Sequence, residues 1–335
     1  MARRVRCTTT RPSDLFEQSL ETDEGSESEV RVEAVEQTYD ALTFDLVNTA
    51  PAIANALRRI LLSEVPTMAI EKVGIANNTS VTPDEVLAHR LGLIPLKADS
   101  RRFARVSTDD GSLTDINTLM FRLKVRCAAS AGSGLTVTST EDGTPSTYMR
   151  VLSRDLEWMP QGRQETWFSA SDDGDGPAVG PVHDDIIITK LKPGQEIDLT
   201  AFAMKGTGKE HAKWSPVATA SYRMLPEVRV VGDDAGDDAG DGAATRASVK
   251  AFDVEGAAGS QQRAVMARPR PCTMCRESTR QPNWGDKVEL SRIKSHFCFS
   301  IESTGAVSSR TLFLQAIAVL REKCTNAIEV VRKFD

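Results

Sequence analysis

The end of the chain carries an apolar stripe that constrains its fold more than any other feature. Apolar side chains recur there at helical spacing: Phe313, Ile317, Leu320, Cys324, Ile328 and Val331. This spacing is typical of one face of an α-helix, and a helix of ~20 residues is ~30 Å long. A continuous apolar face of that length needs a surface to pack on, which the chain's own domain or a second chain can provide.

The first ordered part of the chain alternates between strand and helix patterns. Apolar residues alternate with polar ones over 30–34 and 42–46, which predicts two strands, and 119–127 predicts a third. Between the second and third of these strands, apolar residues at helical spacing form a stripe of Ile53, Leu57, Ile60 and Leu61, and Arg58 and Arg59 lie beside it. By contrast, 129–147 is rich in Ser, Gly and Thr and predicts loops. The patterns together predict a mixed α+β protein.

Composition narrows the class of protein. Hydrophobic residues make up 40% of the chain, charged residues 26%, and the formal net charge is -6. A net negative chain argues against a protein whose main task is to grip nucleic-acid phosphates. Much of the acidity lies in residues 1–29 and 231–262, which we predict to be a disordered tail and a disordered insertion. No apolar run reaches the ~18 residues that a membrane span requires.

Two short motifs resemble reactive sites without completing one. Cys272 and Cys275 have the spacing of half a zinc site, but no second ligand pair follows the same pattern, so ordinary thiols are the favoured interpretation. The run Lys205–Lys209 resembles a phosphate loop but lacks its first glycine and its final hydroxyl residue, so it predicts a turn. We therefore predict no metal and no cofactor. Assembly is the first hypothesis, and an enzyme using Lys209 and His211 is the second.

Several longer motifs, in order, resemble one protein family. They are Ala54–Leu62, Glu64–Ile70, Asp84–Pro95, Lys205–Val217 and Phe299–Gly305. Together they resemble the alpha-like subunits of DNA-dependent RNA polymerases, and the resemblance covers about residues 30–335 apart from the acidic insertion.

Two further features indicate which member of the family the chain is most similar to. The runs Val182–Ile188 and Leu191–Leu199 most resemble the larger alpha-like subunit that nuclear RNA polymerases I and III share. No cysteine lies between Cys7 and Cys127, where the RNA polymerase II version carries a zinc loop. A polymerase II paralogue that has lost this loop stays open as the alternative.

The resemblance implies a fold like the N-terminal domain of bacterial RNA polymerase alpha. Its dimerisation domain would be discontinuous, formed by residues 30–65 and 225–335. An inserted, mainly β second domain would occupy residues 66–224. The acidic insertion 231–262 would then lie within the second part of the dimerisation domain.

The resemblance also implies a non-catalytic role in assembly. The chain would pair with a smaller alpha-like subunit, dock the large catalytic subunits of polymerases I and III, and so support rRNA, 5S rRNA and tRNA transcription in the nucleus, including the nucleolus. No direct contact with nucleic acid or membrane is expected. The implied heterodimer interface comprises Ile53, Leu57, Ile60, Leu61, Phe313, Ile317, Leu320 and Ile328. Arg58 and Arg59 would contact a large subunit.

Overall fold

The computed structural model describes residues 5–7, 29–106, 112–128, 135–139, 145–168, 179–230, 252–255, 263–266 and 288–333, with Arg270, Cys272 and Met274. The helices in these residues are α1 (Pro51–Ser63), α2 (Asp84–Gly92), α3 (Gln164–Phe168) and α4 (Ser309–Arg332). The described chain is therefore mixed α+β, as predicted. None of its helices is long and apolar enough to span a membrane.

Strands form most of the rest of the described chain. The first eight are β1 (Val5–Cys7), β2 (Val30–Gln37), β3 (Ala41–Val47), β4 (Pro66–Asn78), β5 (Leu96–Lys97), β6 (Thr118–Arg126), β7 (Leu135–Ser139) and β8 (Pro145–Leu152). The others are β9 (Glu157–Met159), β10 (Gly180–Pro181), β11 (Ile187–Leu191), β12 (Glu196–Thr207), β13 (Val217–Val230), β14 (Phe252–Glu255), β15 (Arg263–Met266) and β16 (Val288–Ser303). The three strands predicted from alternation are confirmed as β2, β3 and β6.

The chain folds as two compact units, whose divisions fall on both sides of the turn between β2 and β3 and within α1, β13 and β16. The first unit comprises residues 1–37, 42–56 and 221–300, and the second comprises 38–41, 57–220 and 301–335. The predicted domain boundaries, after residues 65 and 224, do not coincide with these divisions and stay a prediction.

The first unit is organised by a five-stranded sheet in the order β1-β2-β3-β16-β13. Alternate residues of β3 are buried, as the sequence pattern predicts. Phe44 of β3 stacks on Phe299 of β16, with ring centroids 5.1 Å apart, and Tyr222 packs against Phe299 at 5.2 Å. Aromatic packing on one face of the sheet therefore joins strands from both ends of the chain.

The second unit is built around a four-stranded sheet in the order β4-β12-β6-β9. A three-stranded sheet, β11-β8-β7, belongs to the same unit. The core includes Leu87 and Leu91 of α2, Leu119 and Phe121 of β6, and Ala201 of β12, all of which are fully buried. Cys127, the last residue of the strand predicted over 119–127, is buried in this core too.

Three segments contradict the sequence-based predictions. Val5–Cys7, within the tail predicted to be disordered, pairs in parallel with Val30–Val32. Phe252–Glu255, within the predicted disordered insertion, forms an antiparallel pair with Arg263–Met266. Leu135–Ser139, within a predicted loop, pairs with β8. At these segments a neighbouring strand supplies hydrogen bonds that polar composition does not reveal, so the loop prediction was wrong at 135–139. The disorder predictions for 1–29 and 231–262 as a whole stay predictions. The rest of 1–28 and 231–262 lies outside the described residues.

Candidate assembly interface

Helix α4 begins at a fixed point in the second unit. The Ser308 side chain caps the helix by accepting the Thr311 N–H at 3.4 Å. The buried Ser309 donates its backbone N–H to the carbonyl oxygen of Tyr39 at 2.9 Å and its hydroxyl to that of Thr38 at 3.2 Å. The first turn of the helix is thus held to the turn between β2 and β3.

Burial along α4 falls steeply from its beginning to its end. Leu312, Phe313 and Ala316 are buried within the chain, whereas Ile317 and Leu320 are half-buried. Every residue from Arg321 to Lys333 is exposed, and Ile328 retains 52% of its accessible surface. An isolated helix of about twelve residues is marginal in water, and an exposed apolar stripe adds a cost of its own. The second half of α4 therefore has the properties of a helix that packs on the surface of a second chain.

An ion pair links α4 to the segment that follows α1. The Lys323 ammonium donates to both carboxylate oxygens of Glu64, at 2.8 and 2.9 Å. The Lys323 side chain is 53% exposed, so water and salt screen the pair. Its contribution is mainly to orient α4, because exposed pairs add at most about 1 kcal/mol to stability. Sequence spacing gives no signal for this contact.

The predicted interface residues on α1 are mostly buried within the chain itself. Leu57, Ile60 and Leu61 are buried, and Ile53 is half-buried. The structure therefore brings three of the four into a core of this chain and leaves Ile53 partly accessible. Phe313 of α4 is buried in the same sense, whereas Ile317, Leu320 and Ile328 keep accessible surface. Whether any of them contacts a second chain stays a prediction.

The two arginines beside the α1 stripe differ in their surroundings. Arg59 is exposed and Arg58 is half-buried. The backbone carbonyl of Arg59 accepts the Ser63 hydroxyl at 2.7 Å, within the last turn of the helix. Arg59 is therefore the one whose guanidinium is more available to a carboxylate or carbonyl of another chain.

The run Lys205–Lys209 covers the end of β12 and the start of the turn that follows it, and this turn closes the end of α1. Strand β12 ends at Thr207, which confirms the predicted turn. The Lys209 N–H donates to the Ser63 carbonyl oxygen at 2.8 Å and so satisfies one carbonyl that the helix end leaves free. A Cβ atom on Gly208 would lie 2.3 Å from the Leu62 carbonyl oxygen, so only glycine fits there.

Trp214 packs against the same segment and is hydrogen-bonded to it. Its indole N–H donates to the Met204 carbonyl oxygen at 3.0 Å, and its own carbonyl accepts the Thr67 hydroxyl at 2.6 Å. A Cβ on Gly206 would lie 2.4 Å from the indole ring. The two glycines of this motif therefore serve close packing, not phosphate binding.

Lys205 and His211 of this segment make structural contacts. Lys205 donates to the Phe103 carbonyl oxygen at 2.9 Å, and burial, reinforced by nearby Arg105, lowers the pKa of its ammonium. His211 Nδ1 accepts the Lys213 N–H at 3.1 Å. Of the two residues that the alternative enzyme hypothesis uses, His211 therefore has one ring nitrogen engaged by the backbone.

Of the candidate cysteine pair, Cys272 is buried and its carbonyl oxygen accepts a guanidinium N–H of Arg223 at 2.9 Å. Cys275 lies outside the described residues. The sequence-based interpretation of these residues as ordinary thiols stays a prediction.

Comparison with known proteins connects this geometry to a family. The family described as the RNA polymerase Rpb3/Rpb11 dimerisation domain matches residues 43–324. The Dictyostelium discoideum protein named DNA-directed RNA polymerases I and III subunit rpac1 is 42% identical over 308 residues, which are 91% of this chain and 82% of that protein. The Homo sapiens protein DNA-directed RNA polymerases I and III subunit RPAC1 is 42% identical, over 90% of this chain and 85% of that protein.

A polymerase II subunit is less similar. The Dictyostelium discoideum protein named DNA-directed RNA polymerase II subunit rpb3 is 34% identical over 307 residues, which are 88% of this chain and 92% of that protein. Within one organism, the similarity to the subunit of polymerases I and III thus exceeds the similarity to the polymerase II subunit.

Proposed function

Because the chain belongs to the RNA polymerase Rpb3/Rpb11 dimerisation family, we propose that it is a non-catalytic assembly subunit of DNA-directed RNA polymerases I and III. It pairs with the smaller alpha-like subunit and docks the large catalytic subunits that transcribe rRNA, 5S rRNA and tRNA genes. The observation that carries this proposal is the second half of α4, an exposed helix with an apolar stripe. The higher identity to subunits of polymerases I and III, 42% against 34%, supports that choice over polymerase II.

The proposed dimerisation domain is discontinuous, with residues 30–65 and 225–335 flanking an inserted second domain at 66–224, as in bacterial alpha. The order of the five-stranded sheet supports this arrangement, because β2 and β3 share it with β16, which lies within 225–335, and with β13, which crosses the proposed boundary after 224. The four-stranded sheet is formed by strands from within 66–224.

The proposed interface has two layers with different roles. Leu57, Ile60, Leu61 and Phe313 form the inner layer and fix α1 and α4 in place. Ile317, Leu320 and Ile328 form the outer layer on α4 and meet the partner's helices, and Ile53 on α1 is a further partly accessible residue of the predicted interface. Apolar burial on this outer layer supplies affinity at ~25 cal/mol per Å² before association costs are subtracted.

Arg58 and Arg59 serve as charged anchors towards a large subunit in this proposal. The exposure of Arg59 makes it the main anchor. The chain supplies no catalytic side chain, contacts no nucleic acid directly and works in the nucleus, including the nucleolus.

The test is affinity purification of the tagged full-length chain from its own cells, followed by mass spectrometry. We expect the smaller alpha-like subunit together with the large subunits of polymerases I and III. Recovery of polymerase II subunits alone would instead identify a polymerase II paralogue. Purified chain on its own should incorporate no nucleotides into RNA, and incorporation by that sample would contradict the non-catalytic assignment.

A further inference from the structure

Three potential metal ligands meet on one face of the sheet in the first unit. They are Asp45 on β3 and His296 and Cys298 on β16, and their ligand atoms all lie within 4.8 Å of one another. Asp45 and His296 keep only 14% and 18% of their side-chain surface, and Cys298 is buried. Asp45 lies far from His296 and Cys298 in the sequence, so motif spacing does not reveal the cluster.

Strand pairing explains how the three groups come together. Strands β3 and β16 are neighbours in the sheet, and residues two apart on a strand point to the same face. His296 and Cys298 therefore share a face, while Phe297 and Phe299 point to the other one, where Phe299 stacks on Phe44. The sheet thus carries an aromatic core on one side and this cluster on the other.

One ring nitrogen of the cluster lacks a hydrogen-bond partner. His296 Nε2 is buried without one, although an Asp45 carboxylate oxygen lies 3.3 Å away, out of line for a hydrogen bond. A buried polar atom without a hydrogen-bond partner lowers the stability of the fold, so such an atom in a native structure often has a functional role. A cation between the nitrogen, the carboxylate and the sulfur would give all three a ligand role.

We propose that Asp45, His296 and Cys298 form a binding site for one zinc ion. Thiolate, imidazole and carboxylate are the ligands that zinc uses in proteins, whereas magnesium and calcium take oxygen ligands. Three protein ligands leave a fourth tetrahedral position for a solvent molecule. The ion links two strands that come from opposite ends of the chain. This inference does not depend on the proposed function.

Two guanidinium groups lie beside the cluster, and one of them contacts a proposed ligand. The Arg270 guanidinium contacts Asp45 Oδ1, the oxygen not facing His296, and so orients the carboxylate as an outer partner. Arg223 in turn donates to the carbonyl oxygens of Arg270 and Cys272 and holds this segment in place. The carboxylate and the thiolate bring two negative charges, which balance the dication, and the Arg270 and Arg223 guanidinium groups add two positive charges around the cluster.

The thiol must lose its proton for the ion to bind. Burial and the nearby Asp45 carboxylate raise the pKa of Cys298 to about 11, so the sulfur is protonated at neutral pH without a metal. Binding therefore forms a zinc–sulfur bond and releases one proton to solvent.

The experiment is a zinc titration of the chelator-treated full-length chain in competition with a chromophoric zinc chelator. We expect one zinc ion per chain, and a loss of affinity of at least about 100-fold in Cys298→Ser and in His296→Gln. Asp45→Asn keeps the shape of the side chain and should also weaken binding. Circular dichroism identifies any variant that fails to fold, and such a variant is set aside in favour of the other two.

Two buried cysteines outside the cluster provide matched controls. Cys127→Ser and Cys272→Ser should bind zinc like the original chain. Cobalt substitution adds a direct readout, because the sulfur-to-cobalt absorption band should be present in both controls and absent in Cys298→Ser. Failure of the original chain to bind zinc would overturn the proposal, and so would loss of binding in Cys272→Ser with retention in Cys298→Ser.

Discussion

The backbone N–H of Lys209 donates to the carbonyl oxygen of Ser63 across 2.8 Å, so the turn after β12 closes the last turn of α1. The neighbouring Gly208 makes this approach possible, since a side chain there would collide with the Leu62 carbonyl oxygen. A helix that is proposed to carry part of an assembly interface is therefore fixed by a loop from the second unit's main sheet.

Gly208→Ala should lower the free energy of unfolding by about 1–3 kcal/mol, because the added Cβ meets backbone atoms that cannot rotate away. Urea denaturation followed by circular dichroism measures the change. Gly180→Ala is the matched control, since a Cβ there meets no atom within 4 Å. An equal effect at both positions would show that close packing at Gly208 is not the cause.

Ile328→Asp should abolish co-purification with the smaller alpha-like subunit while changing the free energy of unfolding by no more than about 0.5 kcal/mol, because this side chain is exposed. Val330→Asp is the control. Val330 is equally exposed, at 52%, but lies about 200° further around the helix, off the stripe. Retention of the partner by Ile328→Asp would show that the stripe is not the interface.

Leu57→Asp should instead prevent stable folding, because Leu57 is only 5% exposed and an unpaired charge there would be buried. Urea denaturation of the purified variant, or its loss to the insoluble fraction, measures the effect. The comparison separates the inner layer of the proposed interface from the outer one. A well-folded Leu57→Asp chain with original stability would contradict the burial of this side chain.

Cys324 should react rapidly with iodoacetamide in the isolated chain and slowly in the heterodimer, because it is exposed and lies on the apolar stripe of α4. Mass spectrometry of tryptic peptides measures both rates. The buried Cys127 is the internal reference and should react slowly in both samples. An unchanged Cys324 rate in the heterodimer would argue that the partner leaves this face of the helix open.

Stability should fall as the pH rises from 9 to about 11 in the presence of a chelator. The unfolded Cys298 thiol ionises near its ordinary pKa of 9.0, whereas burial and Asp45 raise its pKa to about 11 in the fold, against the opposing effect of Arg270 and Arg223. The contribution of the Cys298 thiol to the free energy of unfolding is therefore complete below pH 9, and it is lost as the pH rises through the pKa of about 11 in the folded chain. Urea midpoints across this range measure the fall, and Cys298→Ser should show a smaller one.

Much of the secondary structure was predictable from local patterns. Alternation over 42–46 and 119–127 predicted β3 and β6, and the stripe that begins at Phe313 predicted α4. These patterns work because a strand repeats every two residues and a helix every 3.6. The strand pairing of Val5–Cys7 and Phe252–Glu255 was not predictable in this way, because pairing with another strand depends on where the chain folds back, which composition does not reveal.

The sequence by itself determined the family, through several long motifs in order, and the helical face on which an assembly surface would lie. Only the tertiary structure decided that Leu57 and Phe313 belong to the chain's own core while Ile328 stays exposed. Periodicity reports that a face is apolar but not which chain will cover it. The tertiary structure likewise decided that Asp45 meets His296 and Cys298, because strand pairing, not sequence spacing, sets the distance between residues from opposite ends of a chain.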